Sequence, residues 1–163
     1  MNTIEYNNKE YPLFQTDGNA ARFIQPFAIE ICKGKGLDIG CGKEDWALPG
    51  SIPIDITLTD KWDATYLPQY KYDYIFSSHC LEHLTDWARV LDYWTTRIKK
   101  NGRLFLYLPD YSQEYWRPWN NTKHVNILTP EYLKDYLEHN NWKKIIVSGV
   151  DLYNSFAVCA QKC

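Results

Sequence analysis

The stretch Gly36-Leu37-Asp38-Ile39-Gly40-Cys41-Gly42 constrains the fold of this chain more than any other. An apolar run that closes on an acid and two alternate glycines is the pattern of a buried strand running straight into a tight turn. Glycine reaches positive φ without a Cβ penalty and lets a ligand approach the backbone, so a G-x-G turn is suited to lie beneath a bound molecule. By itself such a turn also fits a plain strand-to-loop junction with a solvated acid. The segments downstream give it weight.

With 163 residues, the chain is long enough for one domain with a real core and too short for two ordinary ones, so residues 1–163 are read as a single domain. Residues 1–17 are polar and aromatic without a clear period. From Ala20 to Ile31, the residues Ala20, Phe23, Ile24, Phe27, Ala28 and Ile31 recur at helical spacing, with Pro26 expected to kink or restart the helix. Residues 1–34 are accordingly an N-terminal helical segment. Leu37–Cys41, Ile52–Ile56 and Tyr72–Ser77 read as strands. Residues 43–54 between the first two contain Pro49-Gly50 and leave room for a turn or two of helix, short of a full crossover.

The clearest helix signal is Leu84, Trp87, Ala88, Leu91, Trp94, Thr95 and Ile98 on one face. Thr85 is its expected cap, Asp86 suits its positive end, and Lys99-Lys100-Asn101-Gly102 is a stop. Arg103–Leu108 reads as a strand ended by Pro109. Thr129-Pro130 is a cap followed by proline at the first helical position, and Leu133, Tyr136 and Leu137 give that helix an apolar side. Lys144–Ser148 and Phe156–Ala160 form a hairpin through residues 149–154. Strands separated by helices, then a terminal hairpin, predict an α/β fold with a mostly parallel sheet and a C-terminal antiparallel hairpin.

Charge and composition narrow the partners. A net charge of −2 and an isoelectric point near 6.1 supply no basic field for phosphates, so nucleic acid is not expected. The N-terminus lacks a basic and apolar leader, and no apolar run reaches about 18 residues, so no membrane partner is expected. Cys32, Cys41, Cys80, Cys159 and Cys163 are odd in number and without C-x-x-C spacing, which argues against disulfides and a zinc ribbon and fits a reducing cytoplasm.

The glycine turn departs from a dinucleotide site at its third position, where a small residue is wanted and Asp45 stands. A carboxylate there would repel a pyrophosphate but not a cationic ligand. Asp55, inside Ile52-Pro53-Ile54-Asp55-Ile56, needs hydrogen-bond donors if it is buried, and is otherwise a strand-end acid. In order, Asp38-Ile39-Gly40-Cys41-Gly42, Asp55, Asp63-Ala64, Tyr72-Asp73-Tyr74-Ile75-Phe76-Ser77-Ser78, Leu81-Glu82-His83 and Asn101-Gly102 resemble the class I S-adenosylmethionine (SAM)-dependent methyltransferase family, over roughly residues 36–160.

That resemblance implies a Rossmann-like three-layer sandwich that binds SAM, transfers its methyl group and releases S-adenosylhomocysteine. It also implies residue roles. Asp38 would help hold the methionine ammonium, with Gly40, Cys41 and Gly42 passing beneath the cofactor and Ser78 beside it. Asp55 would take the ribose hydroxyls, next to Ile56. Asp63 would accept from the adenine amino group and the Ala64 N–H would meet the ring.

His79-Cys80-Leu81-Glu82-His83 also fits the H-x-x-E-H signature of zinc peptidases, which leaves a zinc hydrolase as an alternative. Its position directly after an apolar strand matches the methyltransferase order instead, and no metal is expected. A Cys80 nucleophile is disfavoured because neighbours in sequence do not face each other on a helix. Ser77-Ser78-His79-Cys80 lacks the Pro-Pro-aromatic motif of enzymes that methylate amino groups of bases or glutamine. Residues 111–128 form an aromatic loop in which Tyr111, Tyr115, Trp116 and Trp119 would wall an acceptor pocket, or else pack over the sheet edge. His124 is the preferred base because an unperturbed imidazole titrates near neutrality, and His79 is second. Glu82 and His83 would orient the helix start. The expected acceptor is a small molecule, led by a saccharide or metabolite hydroxyl. A catalytically silent SAM-binding partner subunit is the other reading.

Overall fold

The computed structural model describes residues 2–163, apart from the side chains at 14 and 15. In chain order it contains β1 (Thr3–Tyr6), β2 (Lys9–Pro12), the short α1 (Leu13–Thr16), α2 (Ala21–Ile31), β3 (Gly36–Ile39) and β4 (Ile52–Ile54). These are followed by β5 (Tyr72–Ser78), α3 (Trp87–Arg97), β6 (Ile98–Pro109), α4 (Pro130–His139), β7 (Trp142–Val147) and β8 (Ser155–Lys162). Six strands form one sheet in the order β4-β3-β5-β6-β8-β7. Strands β4, β3, β5 and β6 are parallel, and β8 runs antiparallel between β6 and β7.

Alternation along the central strands builds the three layers. Ile75 of β5 and Leu104, Leu106 and Leu108 of β6 face one side, where Trp87, Leu91 and Trp94 of α3 and Leu133 and Leu137 of α4 cover them. Tyr74, Phe76 and Phe105 face the other side and meet Ala21 and Ala28 of α2. Both sets are apolar, so the sheet is buried on both faces, as parallel strands require. Leu91 and Trp94 are fully buried, and each such side chain contributes about 1.5–3 kcal/mol by leaving water. The expected α/β sandwich with a mostly parallel sheet is the one found.

Local rules explain most of the ends. The Thr129 hydroxyl accepts from the Tyr132 N–H at 3.2 Å, capping α4 with Pro130 as its first residue. The cap of α3 is Asp86, whose carboxylate accepts from the Arg89 N–H at 3.3 Å. This corrects the expected Thr85 cap. The stop expected at 99–102 lies inside β6, because the chain leaves α3 at Arg97 and pairs Ile98 with Tyr72 at once. A register shift follows, with Asn101 at φ +62°. Pro26 does not restart α2, which runs through it as one helix.

The N-terminal segment is not simply helical. Residues 3–12 form a two-stranded antiparallel hairpin turned by Asn7 and Asn8, both left-handed at φ +50° and +58°. Asparagine tolerates this region, and two such residues match the hairpin's twist. Among the described residues no helix is long and apolar enough to cross a membrane.

Candidate functional site

The chain leaves β3 to form β4 on one side and then returns to form β5 on the other. In open parallel sheets a ligand crevice opens at such a reversal, outside the carboxyl ends of the strands. The glycine turn lies there. Gly40 and Gly42 have φ of +81° and +74°, the left-handed region that glycine enters without a Cβ penalty. A Cβ on Gly40 would stand 2.4 Å from the Cys80 Cβ, so this glycine lets the turn close against the segment that follows β5. Cys41 is buried with its Sγ toward the Ile54 carbonyl at 3.9 Å, and burial beside Asp38 and Asp55 pushes its thiol up to about 12.

Two acids brace the turn. Asp38, 1% exposed, accepts from the Leu48 N–H at 2.7 Å. Burial raises its pKa to about 7; the Leu48 bond opposes the rise and the Asp55 charge adds to it. Asp55 sits one residue past β4, where Oδ2 accepts from the Gly42 N–H at 2.8 Å and Oδ1 from the Thr57 N–H and hydroxyl at 2.9 and 2.8 Å. The Thr57 hydroxyl also lies 2.6 Å from the Gly42 carbonyl. Thr57 was not visible as part of this clamp in the sequence. Beside Asp55, the Ile56 side chain is 77% exposed, an apolar platform at the crevice.

The segment from 55 to 71 contains no helix or strand, only a bridge between Asp63 and Tyr66. Asp63 Oδ1 accepts from the Thr65 N–H and hydroxyl and the Tyr66 N–H at 2.6–2.9 Å. Burial works to raise its pKa, but these bonds win and hold it below the usual carboxylate value. The Trp94 indole N–H donates to the Ala64 carbonyl at 2.7 Å and fixes this segment against α3. Ser78, the last residue of β5, is buried, and its hydroxyl has no hydrogen-bond partner.

Past β5 the chain gathers three imidazoles around one carboxylate. Glu82 is 1% exposed, and neither of its oxygens has a hydrogen bond. Its Oε1 lies 3.9 Å from His79 Nδ1, 3.8 Å from His83 Nε2 and 3.8 Å from His124 Nε2. The Glu82 carbonyl accepts from the Val125 and Asn126 N–H groups at 3.0 and 3.1 Å, which carries His124 in from the distant loop. Burial pushes Glu82 up to about 8 and His124 down to about 3, and it also lowers His83 and His79. The unperturbed titration that favoured His124 as a base is therefore not what its surroundings give it. Burial, with the Glu82 charge next, also pushes the Cys80 thiol far up, which makes it unreactive.

His79 and His83 do not share one helix: His79 follows β5 at φ +48°, and His83 closes a 3-10 turn. The expected role of Glu82 is to orient the helix start; its backbone carbonyl instead holds the 124–126 loop. That its carboxylate would meet His124 depends on packing between distant segments, which spacing does not reveal.

The aromatic loop divides. Trp116 stacks on His124 with centroids 4.8 Å apart and planes 11° from parallel, and its buried indole N–H has no hydrogen-bond partner. Tyr111 and Trp119, both exposed, flank the Arg117 guanidinium at 4.1 and 5.9 Å. Tyr115 instead packs on Tyr6 and Tyr11 of the N-terminal hairpin at 5.7 and 6.0 Å. A cavity of about 20 Å³ touches Trp116 and His124, while a cleft of about 600 Å³ opens on the His83 side, along Thr65, Asp86, Arg89 and Tyr93.

A family model described as a methyltransferase domain matches residues 15–147. No curated protein sequence matches the chain. Among solved structures, a SAM-dependent methyltransferase from Archaeoglobus fulgidus is 19% identical, with a TM-score of 0.64 over 92% of this chain and 98% of that one. One from Thermotoga maritima is 15% identical, with a TM-score of 0.69 over 93% of each chain. The N-methyltransferase NodS from Bradyrhizobium japonicum, solved with S-adenosylhomocysteine, is 14% identical with a TM-score of 0.60 over 93% of this chain and 88% of that one.

Proposed function

The chain belongs to the methyltransferase domain family, and on that premise we propose that it transfers a methyl group from SAM to a hydroxyl of a small molecule, a saccharide or other metabolite. The observation that carries the reading is the convergence of Asp38, Asp55 and the Gly40–Gly42 turn at the carboxyl ends of β3 and β4. The donors and acceptors present suit SAM. Two acids at the strand ends would complement a ligand that is cationic at sulfur and nitrogen, and the partnerless Ser78 hydroxyl lies at the same strand ends. Asp55 uses one lone pair of Oδ2 on Gly42 and keeps capacity for a ribose hydroxyl. Asp45, exposed in the turn after Gly42, disfavours a pyrophosphate.

SAM supplies an electrophilic methyl group on a sulfonium. The chain's own residues bind and align. Asp38 would pair with the ammonium, Gly40, Cys41 and Gly42 would underlie the methionine portion, and Asp55 would take the ribose. Ile56, Asp63 and Ala64 would hold the adenine. Alignment of acceptor and methyl can contribute several kcal/mol to the rate. His124 and His79 would touch the acceptor's nucleophilic atom, His124 from the loop and His79 from the end of β5. Trp116, Trp119 and Tyr111 would form the acceptor wall, and Tyr115 would support it from the hairpin side. Because the cavity at His124 holds about 20 Å³, little more than one water, the loop must shift to admit an acceptor.

The test is a SAM-dependent screen over sugars, nucleotide sugars and small phenols that reads release of S-adenosylhomocysteine. Release with a hydroxylated acceptor supports the proposal. Tight SAM binding with no turnover on any of them would make the chain a silent SAM-binding partner.

A further inference from the structure

We propose that Glu82, His83 and His124 form a binding site for a divalent transition metal of the zinc class. Their ligand atoms all lie within 4.8 Å of one another. Two imidazoles and one carboxylate are the donor set of catalytic zinc sites, which keep a further position open.

Three observations favour an ion over plain packing. Glu82 is buried with both oxygens unbonded, a costly arrangement for a carboxyl group unless something pairs with it. His83 Nδ1 lies 2.7 Å from the Lys123 carbonyl. A carbonyl can only accept, so Nδ1 carries a proton, and in the neutral ring Nε2 then holds the lone pair. That lone pair lies 3.8 Å from Glu82 Oε1, too far for a hydrogen bond and suited to a shared cation. Fixing a ligating imidazole through its other nitrogen is the usual outer-shell device of metal sites.

The distances are close to those needed. Bonds of about 2.0–2.2 Å to a tetrahedral ion place two ligand atoms about 3.4 Å apart. Oε1 is 3.8 Å from each of the two imidazole nitrogens, so small side-chain rotations close the site. The stacked Trp116 ring holds His124 in place, and the cleft of about 600 Å³ on the His83 side gives entry. The H-x-x-E-H spacing pointed to a metal through His79 and His83 on one helix. The site argued for instead replaces His79 with His124.

An open coordination position here would take an oxygen of the acceptor, a hydroxyl or a carboxylate, and polarise it; with its Nε2 on the ion, His124 would then act on the acceptor through the metal instead of touching it directly. That role rests on the methyl-transfer reading. Metal binding itself does not.

The experiment strips the full-length protein with a chelator and titrates it with Co²⁺, followed by visible absorption, and with Zn²⁺ by calorimetry. One equivalent should bind, with the intense visible bands of low-coordinate Co²⁺. Glu82→Gln and the partly exposed His83→Ala should each weaken binding by about tenfold or more, while His139→Ala should leave it unchanged. Circular dichroism checks that the variants remain folded. Failure to bind either ion, or equal binding by wild type and both ligand variants, overturns the site. Metal binding without any methyl transfer leaves the site standing and overturns the methyl-transfer reading. Equal turnover by the stripped and loaded protein overturns only the metal's role toward the acceptor.

Discussion

The Asp55 carboxylate accepts the Gly42 N–H at 2.8 Å, which ties the glycine turn after β3 to the end of β4. The acid proposed to hold ribose thus also holds the turn proposed to lie beneath the cofactor. Removing it should cost a charge-assisted hydrogen bond, about 1.5–3 kcal/mol, or roughly tenfold to a hundredfold in SAM affinity. Asp55→Ala should show this by calorimetry. Asp60→Ala, exposed and outside the clamp, should not. Equal effects would remove Asp55 from the cofactor site.

Gly40 and Gly50 share a backbone conformation, φ +81° and +82°, but not their surroundings. A Cβ at Gly40 meets Cys80, whereas one at Gly50 meets nothing within 4 Å. Gly50→Ala should therefore cost only left-handed strain, about 1–2 kcal/mol. Gly40→Ala should cost clearly more in denaturant unfolding. A side chain at Gly40 would run into Cys80, so a loss of cofactor binding in such a variant would report a displaced turn.

Asp38 should make the protein less stable as pH rises. Its folded pKa is raised to about 7, against about 3.9 unfolded. Its contribution is therefore fully present below about pH 4 and lost as pH rises through about 7. Within that window one raised acid gives a slope near 1.4 kcal/mol per pH unit. Asp38→Asn should remove about that much slope from unfolding free energies measured between pH 5 and 7 at constant salt. Glu82, also raised by burial, should leave a residual slope of the same sign. An unchanged slope would contradict the buried, protonatable Asp38.

The loop residues should separate kinetically. His124→Ala should lower turnover by about a hundredfold or more while SAM affinity stays within about twofold. Trp119 is 62% exposed and lies 5.9 Å from the Arg117 guanidinium, so Trp119→Ala should raise the acceptor KM and spare kcat. Trp116 is stacked on His124, so Trp116→Ala should affect both. A pure KM effect at Trp116 would mean that the stacking does not position His124.

Much of this was legible because it is local. The apolar run of β5, the Thr129-Pro130 cap and the apolar face of α3 each act over a few residues. The N-terminal hairpin was missed because its signal is the Asn7-Asn8 pair between short strands with weak alternation. The α3 cap was misplaced by one residue because Thr85 and Asp86 are both good caps and tertiary packing chooses between them. At the site, the glycines and acids could be read from order along the chain. The meeting of Glu82 with His124 could not, since it depends on backbone bonds from Val125 and Asn126 to Glu82.

The most direct measurement is calorimetric titration of the purified chain with SAM, S-adenosylhomocysteine and NAD. The acids at Asp38 and Asp55 and the exposed Asp45 predict saturable binding of SAM and S-adenosylhomocysteine and none of NAD. Binding of NAD without SAM would contradict the cofactor assignment and every residue role built on it.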